Sequence, residues 1–422
     1  MVEISLFAPS SYTRILEPLR HRQFALLWFG QTTSLLGDRV YSTVLPFLIF
    51  SLGGTSREVG IGLVCFSVPQ LLFVLVGGVV VDRFSRRSTM LISDIGRGAV
   101  LVIVAALAAS GGLSIQHLYV LSALLGGFSA FFLPAATSIV PKLVPAEQLL
   151  PANALRSLSL QFTGVVGPVI GGSLALAGRF TVALSVDVLT YAVSAATLLG
   201  IAGAGPMRAG DLRTVTFLGD VRDGFRVVFA SQWLWVTIAL ASLGNVMYSG
   251  ALSVALPALA RQEFGGAGAY GVVVSCIAAG SVLAALGLGW LGRPRRRGII
   301  AYAGIVVGGL ALASFGVSHT ILQVAIAAVV LGGGVSVFDT VWHATLQELV
   351  PGDALGRVAS IDLLGSFGLL PIGYLAAGMV VAMAGPSTTL IAAGLVLAAV
   401  AVVGLLLPLD SESGLSAPPL GR

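Results

Sequence analysis

Long uninterrupted apolar stretches, recurring from one end of the chain to the other, constrain this sequence more than any other feature. Cutting at charged and Pro/Gly-rich breaks leaves twelve, near 24–52, 58–81, 89–110, 116–140, 153–177, 180–201, 232–260, 268–292, 298–317, 320–344, 357–383 and 386–408. A membrane-spanning helix needs about 20 mainly apolar residues. Strands of an outer-membrane barrel would instead read as segments of about ten residues with alternating polarity. Composition agrees, since 56% of the 422 residues are hydrophobic and 10% are charged, against about 25% charged in a soluble domain. The expectation is an all-α integral membrane protein with twelve transmembrane helices.

Charge gives the orientation. Basic residues crowd alternate loops: Arg14, Arg20 and Arg22, then Arg83, Arg86 and Arg87, then Lys142 and Arg156. The series continues through Arg208, Arg213, Arg222 and Arg226, then Arg293, Arg295, Arg296 and Arg297, then Arg357, while the opposite loops hold Arg57, Arg179 and Arg261. Positive loops stay inside, which predicts that both termini are cytoplasmic. The net charge of +5 is therefore topological and implies no nucleic-acid partner. The first 23 residues lack a long apolar core, so they do not read as a cleavable signal. Cys65 and Cys276 each stand alone in an apolar run and read as packing residues. No metal or cofactor is implied.

The chain divides into a cytoplasmic segment 1–23, a six-helix bundle 24–201, a linker 202–231, a second bundle 232–408 and a tail 409–422. In the linker, Phe217, Leu218, Val221, Phe225, Val228 and Phe229 recur at helical spacing opposite Asp220, Arg222, Asp223 and Arg226. This predicts an amphipathic helix on the cytoplasmic surface.

The two bundles also repeat one another. Leu36, Gly37, Tyr41 and Ser42 recur as Leu243, Gly244, Tyr248 and Ser249, an offset of 207. Leu143-Val144-Pro145 recurs as Leu349-Val350-Pro351, an offset of 206, and Gly167-Pro168-Val169-Ile170-Gly171 loosely matches Leu370-Pro371-Ile372-Gly373. Two parallel six-helix repeats are the arrangement of transporters whose substrate site lies near the midplane between halves. A channel or a structural bundle has no need of it.

After the second apolar stretch comes Gly77-Gly78-Val79-Val80-Val81-Asp82-Arg83-Phe84-Ser85-Arg86-Arg87. Its glycines allow close helix approach, and Asp82 can pair with a neighbouring Arg or a helix N-terminus. From Gly78 to Arg87 this resembles the signature loop of the major facilitator superfamily, with Ser85 where the family usually has Gly. The resemblance implies a gating role for Gly78, Asp82, Arg83, Arg86 and Arg87. The second half keeps Arg293, Arg295, Arg296 and Arg297 without an Asp, so that latch is asymmetric. The fifth stretch carries Gly164, Gly167, Pro168, Gly171 and Gly172, which on packing grounds make a kink with close contacts. In the family, Gly-Pro-x-x-Gly-Gly in this helix resembles the element of antiporters that export drugs. Here the earlier Gly of the longer pattern is Thr163, with Gly164 one residue late. Leu35-Leu36-Gly37-Asp38, Asn153-Ala154-Leu155-Arg156-Ser157 and Gly356-Arg357-Val358-Ala359-Ser360 are similar to the macrolide- and siderophore-exporting branch of drug:proton antiporters.

A carboxylate at membrane depth is costly and marks a functional site by default. Asp38 lies about fourteen residues, or roughly 21 Å, into the first stretch. Gln31, Ser34, Asp38, Tyr41 and Ser42 share one helix face, expected to line a central cavity opposite Asn245 and Tyr248 of the repeat. Asp38 is either a proton or substrate group or, if Arg39 reaches it, a structural ion pair. Asp94 and Arg97, one turn apart, read as an ion pair beside the gate or as a relay. Asp187 and Asp339, the latter beside Trp342 and His343, are further coupling candidates, and Asp362 reads as an inner-gate residue. Phe128, Phe131 and Phe132 either line an apolar drug site or pack against helices and lipid.

Other classes fit poorly. The single lysine, Lys142, follows Pro141, so no Walker A loop is present to bind ATP. No Ser/His/Asp, HExxH or Cys/His constellation appears, so an enzyme is not expected. The expected function is proton-coupled efflux of small amphiphilic or hydrophobic molecules by alternating access, with an importer or facilitator of the same fold as the alternative. The expected partners are substrate, protons and the lipid bilayer, for a chain functional as a monomer. One lysine among 23 basic residues points to a GC-rich genome and a bacterial inner membrane.

Overall fold

The computed structural model describes residues 15–83, 85–202, 225–291 and 296–406, the side chains of 75–83 and 352–353 excepted. Nearly all of these residues are helical, and no strand occurs among them. The long helices are α1 (Arg22–Ser51), α2 (Ser56–Arg83), α3 (Arg86–Ala109), α4 (Ile115–Ile139), α5 (Leu149–Leu176) and α6 (Phe180–Leu199). They are followed by α7 (Gln232–Glu263), α8 (Ala267–Leu291), α9 (Arg297–Phe315), α10 (Ile321–Leu349), α11 (Gly352–Gly368) and α12 (Leu370–Leu405). Ten segments among the described residues are long and apolar enough to cross a membrane, and the protein is a multi-pass membrane protein. The segment Ala354–Leu405 counts once, although Gly385 breaks its helix with φ 82° and ψ 164°. The 30-residue α1 is absent from the ten because Gln31, Thr32, Thr33, Ser34, Asp38 and Arg39 dilute its hydropathy. Outward faces carry exposed apolar side chains such as Trp290 at 92% and Leu150 at 81%, a surface suited to lipid rather than water.

Helix starts follow local chemistry. At the head of α4 the Ser114 hydroxyl accepts the His117 N–H at 3.4 Å, and the His117 ring accepts the Ser114 N–H at 3.2 Å. At the head of α10, Thr320 and Gln323 make the same reciprocal box. Such boxes satisfy two orphan donors at once. They stand 206 residues apart, the offset already visible in the repeated loops.

Two compact units emerge. One holds the chain through Val44 and again from Val68 to the end of α6; the other holds Leu45–Ser67 and everything from α7 on. The core of the first is built on Phe24, Leu27, Met90, Ile139, Leu155 and Leu198. The core of the second is built on Leu234, Tyr302, Phe338, Trp342, Leu346 and Val358, and it takes in Val228 from the end of the linker. Residues 225–230 are helical, while Phe217, Leu218 and Val221 lie outside the described residues.

The loose Pro-Gly match has a counterpart in packing. On α5, a Cβ at Gly171 would strike Val40 and Thr43 of α1; on α12, a Cβ at Gly373 would strike Val246 of α7. Val40 and Val246 are again 206 residues apart.

Candidate functional site

In the first unit, α1 and α6 come close because two glycines on α1 lie two turns apart. Gly30 sits against Ser194 and Thr197, and Gly37 against Asp187 and Thr190. Small residues at a membrane helix interface let backbones approach in this way. The contact sets Asp38, the next residue on α1, beside the polar face of α6.

There Asp38 accepts a hydrogen bond from the Tyr191 hydroxyl, and its other oxygen lies 3.6 Å from Nη1 of Arg97. Arg97 in turn donates from Nη2 to Asp94 at 2.5 Å, and the Ser194 hydroxyl donates to the second oxygen of Asp94 at 2.6 Å. The guanidinium is held between two rings, 4.5 Å from the centroid of Phe132 and 4.4 Å from that of Tyr191. The cation is thereby desolvated against aromatic π-systems that attract it. Asp94 is 0% and Arg97 4% exposed, whereas the Asp38 side chain is 39% exposed. The network therefore runs from a fully buried pair out to one accessible carboxyl group.

Asp187 stands one turn before Tyr191 on α6. It is 1% exposed, and its Oδ2 has no hydrogen-bond partner. Its Oδ1 accepts from the Thr190 hydroxyl at 3.2 Å. An unpartnered carboxyl oxygen in so buried a position is costly.

The expected polar stripe on α1 divides. Gln31 and Ser34 are buried, Ser42 is exposed and bonds to the Arg39 carbonyl at 3.1 Å, and Tyr41 is intermediate. Arg39 is not the partner of Asp38. Its Cβ lies against Gly167 of α5, as expected for neighbours about 100° apart around a helix. Pro168, Gly171 and Gly172 are buried along α5 with Gly167, and Gly164 is part-buried. Thr163, at the position where the longer pattern has Gly, is fully buried and bonds back to the Ser159 carbonyl at 2.8 Å. The aromatic candidates of α4 pack within the unit. Phe128 covers Gly96, Phe132 covers Arg97, and Phe131 meets Phe73 at 5.9 Å between ring centroids.

Of the loop residues expected to gate, the side chains of Gly78, Asp82 and Arg83 lie outside the described residues. Arg86 donates to the Ser138 hydroxyl at 3.1 Å. Arg87 donates to the carbonyls of Leu198 and Leu199 at 2.8 and 3.0 Å. These carbonyls stand at the C-terminus of α6, where a cation is favoured.

The second unit encloses a cavity of about 310 Å³ between α7, α9, α10, α11 and α12. Asn245, Tyr248, Asp339 and Asp362 all line it, so four of the candidates come together here. Asp362 accepts two contacts from the Trp342 indole N–H, at 3.3 and 3.2 Å. Residues that sequence reasoning passed over complete both sites: Tyr191 and Ser194 in the first unit, Tyr302 and Phe367 in the second. Tyr191 and Ser194 fall four and seven residues after Asp187, on the same helix face. No cluster able to hold a metal ion occurs among the described residues.

Comparison with known proteins accords with this architecture. Over 405 residues the chain is 24% identical to the multidrug efflux pump Tap of Mycolicibacterium fortuitum, covering 93% of this chain and 98% of that one. It is 25% identical over 304 residues to the enterobactin exporter EntS of Shigella boydii serotype 18, covering 70% of each. Its fold is similar to the crystal structure of the nucleoside transporter NupG, with a TM-score of 0.73 at 12% identity over 91% of this chain and 98% of that one. The family model described as Major Facilitator Superfamily matches residues 27–361 and 234–421, and the chain belongs to that superfamily of membrane transporters.

Proposed function

We propose that the protein exports small amphiphilic or hydrophobic molecules across a bacterial inner membrane in exchange for protons, working by alternating access as a monomer. The observation that carries this reading is Asp38. It is the accessible end of an otherwise buried charge network, tied at once to α3 through Arg97 and to α6 through Tyr191. Asp38 and Asp94 share one guanidinium there, a third carboxyl group, Asp187, stands one turn from Tyr191, and Arg39 is turned toward α5. Holding all three charged in a membrane interior is expensive, so a proton has a natural place in the cluster. When Asp38 takes a proton it loses its attraction for Arg97, which keeps Asp94. When it gives the proton up, α1, α3 and α6 are drawn together again. Binding energy that differs between two such states is what lets a proton shift a conformational equilibrium. The likeness to efflux pumps supports the outward direction.

A facilitator or importer of the same fold is the alternative. Proteoliposomes with an acidic lumen separate the two. An amphiphilic dye or a macrolide added outside is expected to accumulate above the level of protein-free vesicles and to stop when the pH gradient is collapsed. Equilibration without accumulation, at a rate indifferent to the gradient, would identify a facilitator.

A further inference from the structure

We infer that the cavity of the second unit binds the transported molecule as a lipophilic organic cation, recognised by aromatic walls and by the carboxylates Asp339 and Asp362. The inference rests on the export reading above and names the charge of its substrate. A volume of about 310 Å³ falls at the lower end of the size of small-molecule sites. One wall is a continuous aromatic surface. Tyr302 meets Phe338 edge-on at 5.5 Å, and Phe338 stacks on Trp342 at 6.4 Å. Electron-rich rings attract a desolvated cation, quaternary ammonium groups above all.

The charges lining the cavity point the same way. No arginine or lysine is among its described lining residues. Its titratable groups are Asp339, Asp362, His343 and the phenols Tyr248 and Tyr302. With both carboxylates ionised, the balance is negative whether the imidazole is charged or neutral. Asp362 is fixed in place by the Trp342 indole, while Asp339 and His343, one turn apart on α10, are exposed. An anion of the same shape would face two like charges with no counter-cation. A neutral molecule would leave the negative charge of the two carboxylates unbalanced.

Equilibrium dialysis of the full-length detergent-purified protein tests this with tetraphenylphosphonium and its anionic counterpart of closely similar shape, tetraphenylborate. Saturable phosphonium binding is expected, with no competition from the borate. Asp339→Asn and Asp362→Asn should each weaken phosphonium binding about tenfold or more, while Asp339→Glu keeps it. In a Cys65→Ser, Cys276→Ser background, phosphonium should protect Ser366→Cys, on the cavity wall, from a maleimide. Equal binding of cation and anion, wild-type affinity in both Asn variants, or no protection of Ser366→Cys would overturn the proposal. The discrimination by the unaltered protein needs no variant, so a failure of the Asn variants to fold leaves the test standing. Dialysis uses no gradient. Charge-selective binding without gradient-driven transport sinks the export reading alone, and gradient-driven transport without charge selectivity sinks this one alone.

Discussion

Asp38, Asp94, Arg97 and Asp187 each do something different with a charge. Asp94 and Arg97 are buried together, and removing one strands the other. Arg97→Leu is expected to cost about 3–5 kcal/mol, seen as a large loss of thermal stability or of folded protein. Pairing it with Asp94→Asn should restore part of that loss. Asp38→Asn is a milder change, because the side chain is 39% exposed and an amide can still accept from Tyr191. That variant is expected to fold normally while uphill accumulation of dye falls to the level of protein-free vesicles. Normal coupling in Asp38→Asn would remove this residue from the proton pathway. The four charged residues were legible because charge in an apolar run is conspicuous. Their partners Tyr191 and Ser194 were not, since Tyr and Ser occur in membrane helices for many reasons. The partner of Asp38 was equally hidden: chain proximity offered Arg39, and the fold supplied Arg97 from another helix.

At the scale of elements, glycine and proline decide where helices end. Gly385 has φ 82° and ψ 164°, and nothing lies within 4 Å of where its Cβ would be. The backbone alone therefore demands glycine there, and Pro386 opens the next helical segment. Gly385→Ala is expected to cost about 1–3 kcal/mol, measured as a lower midpoint of thermal unfolding with transport retained at low temperature. The break near 383–386 was legible from Gly385-Pro386. The break between α11 and α12 at Leu369 was not, because the apolar run 357–383 passes through it without a charged residue after Asp362. Pro371, in the first turn of α12, was the only hint. α7 holds a similar surprise, a π-helical turn over Ala251–Ala255. Such turns are rare and often stand at functional positions, and they leave no mark on hydropathy. The capping box at Thr320 could be read directly, because Thr and Gln323 three residues on are the mechanism, whereas the box at Ser114 is closed by His117 and carries no such signature.

For the whole molecule, the membrane class and the internal repeat were plain in the sequence, since both are patterns of many residues. The division into units was less so. The longest polar break suggested a boundary at the linker alone, yet Leu45–Ser67 packs with the second unit. Within that unit the Phe47 ring lies 5.6 Å from Tyr270, and the Arg261 guanidinium lies 5.0 Å over Phe50. Contacts of that kind join residues far apart in the chain, and no local pattern announces them. On the export reading, movement of substrate and movement of protons are one process. It is tested most directly by trapping a pH-sensitive dye inside proteoliposomes with an acidic lumen and adding substrate outside. The lumen is expected to lose protons as substrate enters, in the wild type and not in Asp38→Asn. Substrate entry with no change in lumenal pH beyond that of protein-free vesicles would contradict the account.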